Sequence, residues 1–118
     1  MELFDTTQSS LAAAMRGSDA RQSALAGNLA NVDTPGYARK DVDFHGALQA
    51  ALGGGTDPSN VPFAAQADAS APVRADGNSV DVDQENSELA HNALTYDALS
   101  RVASARIDIL KTAMGVSQ

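Results

Sequence analysis

The feature that most constrains this fold is a long amphipathic stretch near the carboxyl end of the chain. Leu89, Tyr96, Ala103 and Leu110 recur every seven residues, which is a helical spacing. The same face is widened by Leu99, Val102, Ile109 and Ala113. A helix from about residue 84 to 114 would be roughly 45 Å long, which exceeds the width of a compact chain of this size. This length predicts a helical bundle or a coiled coil.

A second amphipathic stripe runs through residues 1–32. Its large apolar members, at heptad-related positions, are Leu11, Met15, Leu25 and Leu29. The polar pair Ser18 and Gln22 interrupts the stripe at its centre, and Gly17 and Gly27 each lower helix preference by about 1 kcal/mol relative to alanine. We therefore expect a helix that is marginal alone and is stabilised by burial against another surface.

Residues 28–37 are predicted to end this helix and reverse the chain. Asn31 can close the helix, and the tetrapeptide Asp33–Gly36 is typical of a type II turn, in which proline fixes one φ angle and glycine takes a positive φ. Tyr37 then begins an extended arm within residues 33–45. The predicted turn motif consists of Asn28, Asn31, Asp33, Thr34, Pro35, Gly36 and Tyr37.

The middle of the chain is rich in glycine, alanine and proline. Residues 46–72 are predicted to be a flexible or irregular insert, after a possible short helix at Gly46–Leu52. Residues 73–83 are predicted to form a small hairpin around Asp76–Gly77, because this dipeptide accepts the positive φ angles of tight hairpin turns. Asp81 or Asp83 then caps the second long helix, within residues 84–118.

Together these patterns predict one structural unit that is mainly α-helical. Two long antiparallel terminal helices would form a coiled coil, with a small extended or hairpin region and an irregular middle segment between them. The side chains expected to carry the helix packing and assembly are Leu11, Met15, Leu25, Leu29, Leu89, Tyr96, Leu99, Val102, Ile109 and Leu110.

Composition excludes several classes of protein. The formal net charge is −7 and the pI is near 4.4, which argues against sequence-independent binding to nucleic acid. There is no cysteine, so disulfides are excluded. The acidic start has no basic segment followed by an apolar run, so we expect no cleaved signal peptide, and no apolar run is long enough to span a membrane.

The sequence gives little support for a catalytic or metal-binding site. Asp41, Asp43 and His45 could in principle form a metal or acid–base cluster, but a solvated acidic edge explains them better, because His91 is the only other histidine. Residues 76–83 do not follow the EF-hand pattern. There is no nucleophile elbow, which argues against a hydrolase. We expect no enzyme activity, no cofactor and no small-molecule substrate.

Three blocks of sequence resemble a known family. They are Asn28–Tyr37, Arg39–Phe44 and Asp76–Glu85, followed by Leu89–Asn92 and Tyr96. The first block is similar to an element that flagellar rod and hook proteins share, and the other two resemble the proximal-rod proteins of the bacterial flagellar basal body. The likeness covers most of the chain.

The resemblance implies a non-enzymatic subunit of the proximal rod that assembles through its terminal helices and transmits torque. It also implies export through the flagellar type III apparatus without cleavage, and helical homo-oligomeric assembly in the periplasm. The implied neighbours are other rod proteins, the membrane-ring protein and the rod-to-ring adaptor. The alternative is a type III secreted coiled-coil adaptor or binding module, which would form a defined complex with one partner.

Overall fold

The computed structural model describes residues 2–115, with side chains from Thr6 onward. Its elements, in chain order, are helix α1 (Glu2–Ala30), strand β1 (Lys40–Asp41), helix α2 (Phe44–Gly53), a 3-10 turn (Pro58–Asn60), strand β2 (Gln66–Ala67) and helix α3 (Val82–Ala113). The chain is therefore mainly helical, as predicted. Met1 and residues 116–118, which fall within the two predicted terminal helices, lie outside the described residues.

The two terminal helices pack against each other and run antiparallel. The direction follows from side-chain hydrogen bonds, which join residue 28 to 85, residue 21 to 88 and residue 18 to 92. Helix α3 has 32 residues, which corresponds to about 48 Å at 1.5 Å per residue, and the Cα atoms extend over 62 × 33 × 14 Å. The molecule is elongated along this helix pair.

The ends of α3 follow from local chemistry. Asp81 is the N-cap residue, and its Oδ1 accepts hydrogen bonds from the backbone N–H groups of Asp83 (2.9 Å) and Gln84 (3.1 Å). Lys111 lies in the last turn, where a positive charge is favoured by the helix dipole. Gly115 has a φ of +73°, which ends the helix.

The middle segment is irregular, but it is anchored to α1. Asp43 caps α2 by accepting a hydrogen bond from the Gly46 N–H (3.0 Å). Arg16 of α1 donates to the carbonyl oxygens of Pro58 (3.1 Å), Ser59 (3.2 Å) and Val61 (3.4 Å). The predicted short helix at Gly46–Leu52 corresponds to α2, which begins two residues earlier, at Phe44. The rest of the predicted flexible insert contains the 3-10 turn and β2, and Arg16 supplies partners for the backbone of the 3-10 turn.

The predicted hairpin at residues 73–83 does not form two paired strands. Asp76–Gly77 does make a turn, in which the Gly77 N–H donates to the Arg74 carbonyl (3.0 Å). The Arg74 N–H also donates to the Asn78 carbonyl across this turn (2.8 Å). The next residue, Ser79, donates its N–H to the Tyr37 carbonyl (3.1 Å), so beyond Asn78 the second arm pairs with the segment after α1. The antiparallel sheet of the described residues instead joins β1 to β2.

The apolar core is small and lies between α1 and the middle segment. Its buried members are Ala14, Val42 and Phe44, and the partly buried side chains packed against them are Ala20, Ala24, Leu48, Phe63 and Leu99. Within residues 2–115, no helix combines the length and the apolar character that a membrane crossing requires.

Candidate assembly site

The turn motif closes a tight reversal after α1. The Tyr37 N–H donates to the Thr34 carbonyl (3.2 Å), and Gly36 has a φ of +74°. The turn thus spans Thr34–Tyr37, with Pro35 and Gly36 at its centre, one residue later than the predicted frame. Its position is fixed from outside by the Gly36 N–H, which donates to the Asp76 carbonyl (2.9 Å).

Asn28 joins the end of α1 to two other segments. Its Nδ2 donates to the Lys40 carbonyl (2.7 Å) and to Glu85 Oε2 (3.1 Å), and its Oδ1 accepts from the Lys40 N–H (3.0 Å). The Tyr37 hydroxyl also donates to this Oδ1 (3.4 Å). Asn28 is completely buried, so its amide is satisfied only by this arrangement.

Asn78 binds the backbone of the segment that follows α1. Its Nδ2 donates to the carbonyl oxygens of Asn31 (2.9 Å), Val32 (3.1 Å) and Thr34 (2.8 Å). Its Oδ1 accepts from the Val80 N–H (2.7 Å). This buried side chain therefore holds the segment after α1, at residues 31–34, although it lies more than forty residues later in the chain.

Arg39 and Glu85 form a buried ion pair beside Asn28. The Arg39 Nε donates to Glu85 Oε1, and the Arg39 and Glu85 side chains are 2% and 0% exposed. The other guanidinium nitrogens contact Asp68 (2.9 Å) and Asp41 (3.4 Å). Burial opposes the charge of Arg39, but the hydrogen bond and charge of Glu85 raise its pKa. We call Asn28, Arg39, Asn78 and Glu85 the polar junction.

A second ion-pair group lies next to the polar junction. Arg21 donates to Asp41 Oδ1 (2.8 Å) and to Glu88 Oε2 (2.7 Å), so it links α1, β1 and α3. Burial alone would raise the pKa of Asp41, but the hydrogen bond from Arg21 and that from the Val42 N–H lower it. Asp41 is therefore held as a carboxylate.

A third polar contact lies further along the helix pair. Ser18 Oγ donates to Asn92 Oδ1 (3.0 Å), while Asn92 Nδ2 donates to the Ser18 carbonyl (2.8 Å) and to Gln22 Oε1 (2.9 Å). Ser18 and Asn92 are almost completely buried. We call Ser18, Gln22 and Asn92 the mid-helix cluster. It accounts for the polar pair that interrupts the apolar stripe of α1.

The side chains predicted to carry packing occupy three kinds of environment. Leu25 is fully buried. The half-buried members are Leu11, Met15, Leu29, Leu89 and Leu99. The exposed members, all on α3, are Tyr96, Val102, Ile109 and Leu110. The structure of one chain thus leaves the distal part of α3 without an apolar cover.

The contacts of the acidic residues identify their roles in this fold. Asp41 is taken up by Arg21 and Arg39, and Asp43 caps α2. The His45 ring lies against Phe44, with ring centroids 4.1 Å apart. These contacts give Asp41, Asp43 and His45 structural roles in the fold. They are the same side chains that a catalytic or metal-binding site at residues 41–45 would need.

Sequence reasoning missed several members of these networks. Arg39, Asn78, Glu85 and Asn92 were not among the predicted site residues, although they are buried and fully engaged. Ser18 offered one usable signal, because a polar residue at an apolar heptad position requires a polar partner on the facing helix.

Comparison with known proteins identifies the family. Residues 9–37 match the family described as "Flagella basal body rod protein". The flagellar basal body rod protein FlgB of Bacillus subtilis is 34% identical, with 97% of each chain covered. FlgB of Aeromonas hydrophila is 36% identical over 80% of this chain and 81% of its own, and FlgB of Escherichia coli is 34% identical over 74% and 77%. The chain therefore belongs to the FlgB family of flagellar basal-body rod proteins, and it is a structural, non-enzymatic subunit of the proximal rod.

Proposed function

We propose that this subunit joins the rod by coiled-coil packing of its terminal helices against those of neighbouring rod subunits. The assembly is a helical stack of copies and relatives in the periplasm, reached through the flagellar type III export apparatus. The membrane-ring protein and the rod-to-ring adaptor are its neighbours at the membrane end. Long helices packed side by side then transmit torque along the rod.

The observation that carries this proposal is the exposed apolar surface on the distal part of α3. Ile109 and Met114 are 67% and 71% exposed, and Val102 is 50% exposed. A monomer gains nothing from presenting several large apolar side chains on one helix, and such surfaces are typical of interaction sites. Burial of these side chains against other subunits would remove this surface from water.

Part of this surface has the spacing of a coiled-coil seam. Ala98, Val102, Ala105 and Ile109 are separated by four, three and four residues, and all four are exposed. At about 100° per residue they lie on one side of α3, turned roughly a quarter of a circle from the side that faces α1. We call these four residues the outer seam. Helix α3 would thus contact α1 of its own chain and one further helix.

The proposal accounts for the polar character of the rest of the helix pair. At the loop end, α1 and α3 are joined through the polar junction and Arg21, which are internal to the chain. The outer seam and the exposed Leu110 are among the apolar surfaces of α3 that remain for other subunits. Helical order in the distal segments therefore increases when neighbours pack against them.

The test replaces Val102 and Ile109 with aspartate in the full chain. We expect a variant that keeps the fold of the loop end but fails to enter basal bodies isolated from cells in which it replaces the normal subunit. Val73→Asp is the matched control, because Val73 is a valine of similar exposure that lies outside the helices. It should assemble normally.

A second measurement separates assembly from folding. Circular dichroism of the purified subunit, alone and mixed with other rod proteins, should show a gain in helix on mixing that the Val102→Asp/Ile109→Asp variant lacks. Normal basal bodies containing the double variant would refute the proposal. A helix content that mixing leaves unchanged would refute the coupling of assembly to helix order.

A further inference from the structure

The mid-helix cluster is a buried polar contact between the two long helices that lies away from the loop end. On α1, Ser18 lies seven residues from both Leu11 and Leu25. On α3, Asn92 lies seven residues before Leu99. Gln22, which completes the cluster, lies seven residues from both Met15 and Leu29. The polar side chains of the cluster therefore meet only when Ser18 faces Asn92.

A displacement of one helix by seven residues has a specific consequence. The apolar side chains of α1 on either side of the cluster, Leu11, Met15, Leu25 and Leu29, would still face α3, because their stripe repeats every seven residues. Asn92, however, would face Leu11 or Leu25. Its amide now makes two donor contacts and accepts one hydrogen bond, all from α1. All of these would be lost in a buried position, where an unpaired amide is strongly disfavoured.

We infer that the mid-helix cluster determines the register of the α1–α3 pair. The apolar repeat of α1 alone does not distinguish heptad-related alignments of the two helices, and the Ser18–Gln22–Asn92 contacts select one of them. Asn92 thus acts as a specificity-determining residue at some cost in apolar burial, as a buried asparagine does in coiled coils. The inference concerns the single folded chain and does not depend on the proposed contacts between subunits.

The polar junction also fixes the helices, at the loop end, so the test must separate the two. Asn28→Ala removes the direct hydrogen bond between α1 and Glu85 of α3 and provides a background in which the junction is weakened. Because the chain has no cysteine, spin labels can be placed at Ala26→Cys and Ser104→Cys, which are exposed positions on α1 and α3. Double electron–electron resonance then measures the distance between the labels.

In the Asn28→Ala background we expect one narrow distance, because the mid-helix cluster remains. Adding Ser18→Leu with Asn92→Leu should produce a second distance population, displaced by up to about 10 Å, which is the length of seven helical residues. Ser23→Leu with Asn86→Leu makes the same two substitutions at exposed positions on the same helices and should leave one population. Dilution with unlabelled chain identifies any distance that arises between copies.

Two results would overturn the inference. One is a single unchanged distance in the triple variant. The other is a second population in the Asn28→Ala chain itself, which would show that the polar junction alone holds the register. Since leucine is larger than serine, Ser18→Ala with Asn92→Ala provides a variant that adds no volume. It should give the same second population, and a single distance there would also count against the register role.

Discussion

Gly17 and Phe44 are in contact so close that residue 17 has no room for a side chain. A β-carbon placed on Gly17 would lie 2.4 Å from the Cβ of Phe44. Phe44 is the first residue of α2 and a member of the buried core, so α2 packs on α1 through this gap. The glycine that weakens α1 as an isolated helix is therefore required by the tertiary structure.

Gly17→Ala should destabilise the chain even though alanine favours helix. We expect a loss of about 1–3 kcal/mol from overpacking, offset by up to about 1 kcal/mol of helix preference. Gly27→Ala is the matched control, because the nearest atom to its added β-carbon is the Tyr37 hydroxyl at 4.0 Å. It should stabilise the chain slightly. Urea unfolding measures both, and a gain in stability for Gly17→Ala would contradict this packing.

Arg39→Ala should be among the most damaging single substitutions. It leaves Glu85, which is fully buried, without its cationic partner, and breaking such a pair costs about 3–5 kcal/mol. Arg101→Ala removes an arginine from the exposed ion pair with Asp97 and should leave the unfolding midpoint unchanged. Equal midpoints for the two variants would show that Glu85 finds another partner or access to water.

Acid should weaken the chain through Asp41. The pKa of Asp41 is lowered in the folded state, so its contribution is complete above the unfolded value of about 3.9 and is lost as the pH falls through the lower folded value. Asp41→Asn should therefore be less stable than the parent chain at neutral pH. The two stability curves should converge as the pH falls through the folded pKa of Asp41, because Asp41 is then protonated in the parent.

Unfolding free energies of the two chains, measured in urea from neutral pH to about pH 2.5, check this linkage. Curves that stay parallel over the whole range would mean that the contacts of Asp41 with Arg21 and Arg39 do not depend on its charge.

Gly77→Ala should cost more than the same substitution in an open loop. Gly77 has a φ of +83°, and an added β-carbon would lie 3.2 Å from the Gly36 Cα. Gly55 has a similar φ of +72° with no atom within 4 Å, so Gly55→Ala measures the backbone cost alone, about 1–2 kcal/mol. Thermal unfolding should give a larger loss for Gly77→Ala, and an equal loss would exclude the contact with Gly36 as a cause.

The parts of the fold that could be predicted from sequence are those fixed by local pattern. The stripes of α1 and α3 repeat every seven residues, Asp81 has the chemistry of an N-cap, and Gly36 has the positive φ expected of a turn glycine. Each of these depends on residues close together in the chain. Their positions in the structure differ from prediction by no more than a few residues.

The remaining features depend on pairs that are distant in sequence. Nothing near Arg39 indicates that it pairs with Glu85, and nothing near Asn78 indicates that it binds the backbone of the segment after α1. Beyond its short helix, the middle segment is predicted to be irregular because it is rich in glycine, alanine and proline. The order of residues 58–61 comes instead from Arg16, and the position of α2 depends on the space beside Gly17. These features can be identified only from the three-dimensional structure.

Asn28, Asn31 and Thr34 make hydrogen bonds within a single chain, and this limits what the family motif indicates about assembly. These residues lie in the segment that matches the rod family, and their polar atoms bind other parts of the same molecule. Two rod proteins that share this segment consequently share hydrogen bonds that stabilise the fold of the single chain. The differences that give each rod protein its own position in the rod must therefore lie in exposed side chains, which this shared segment does not determine.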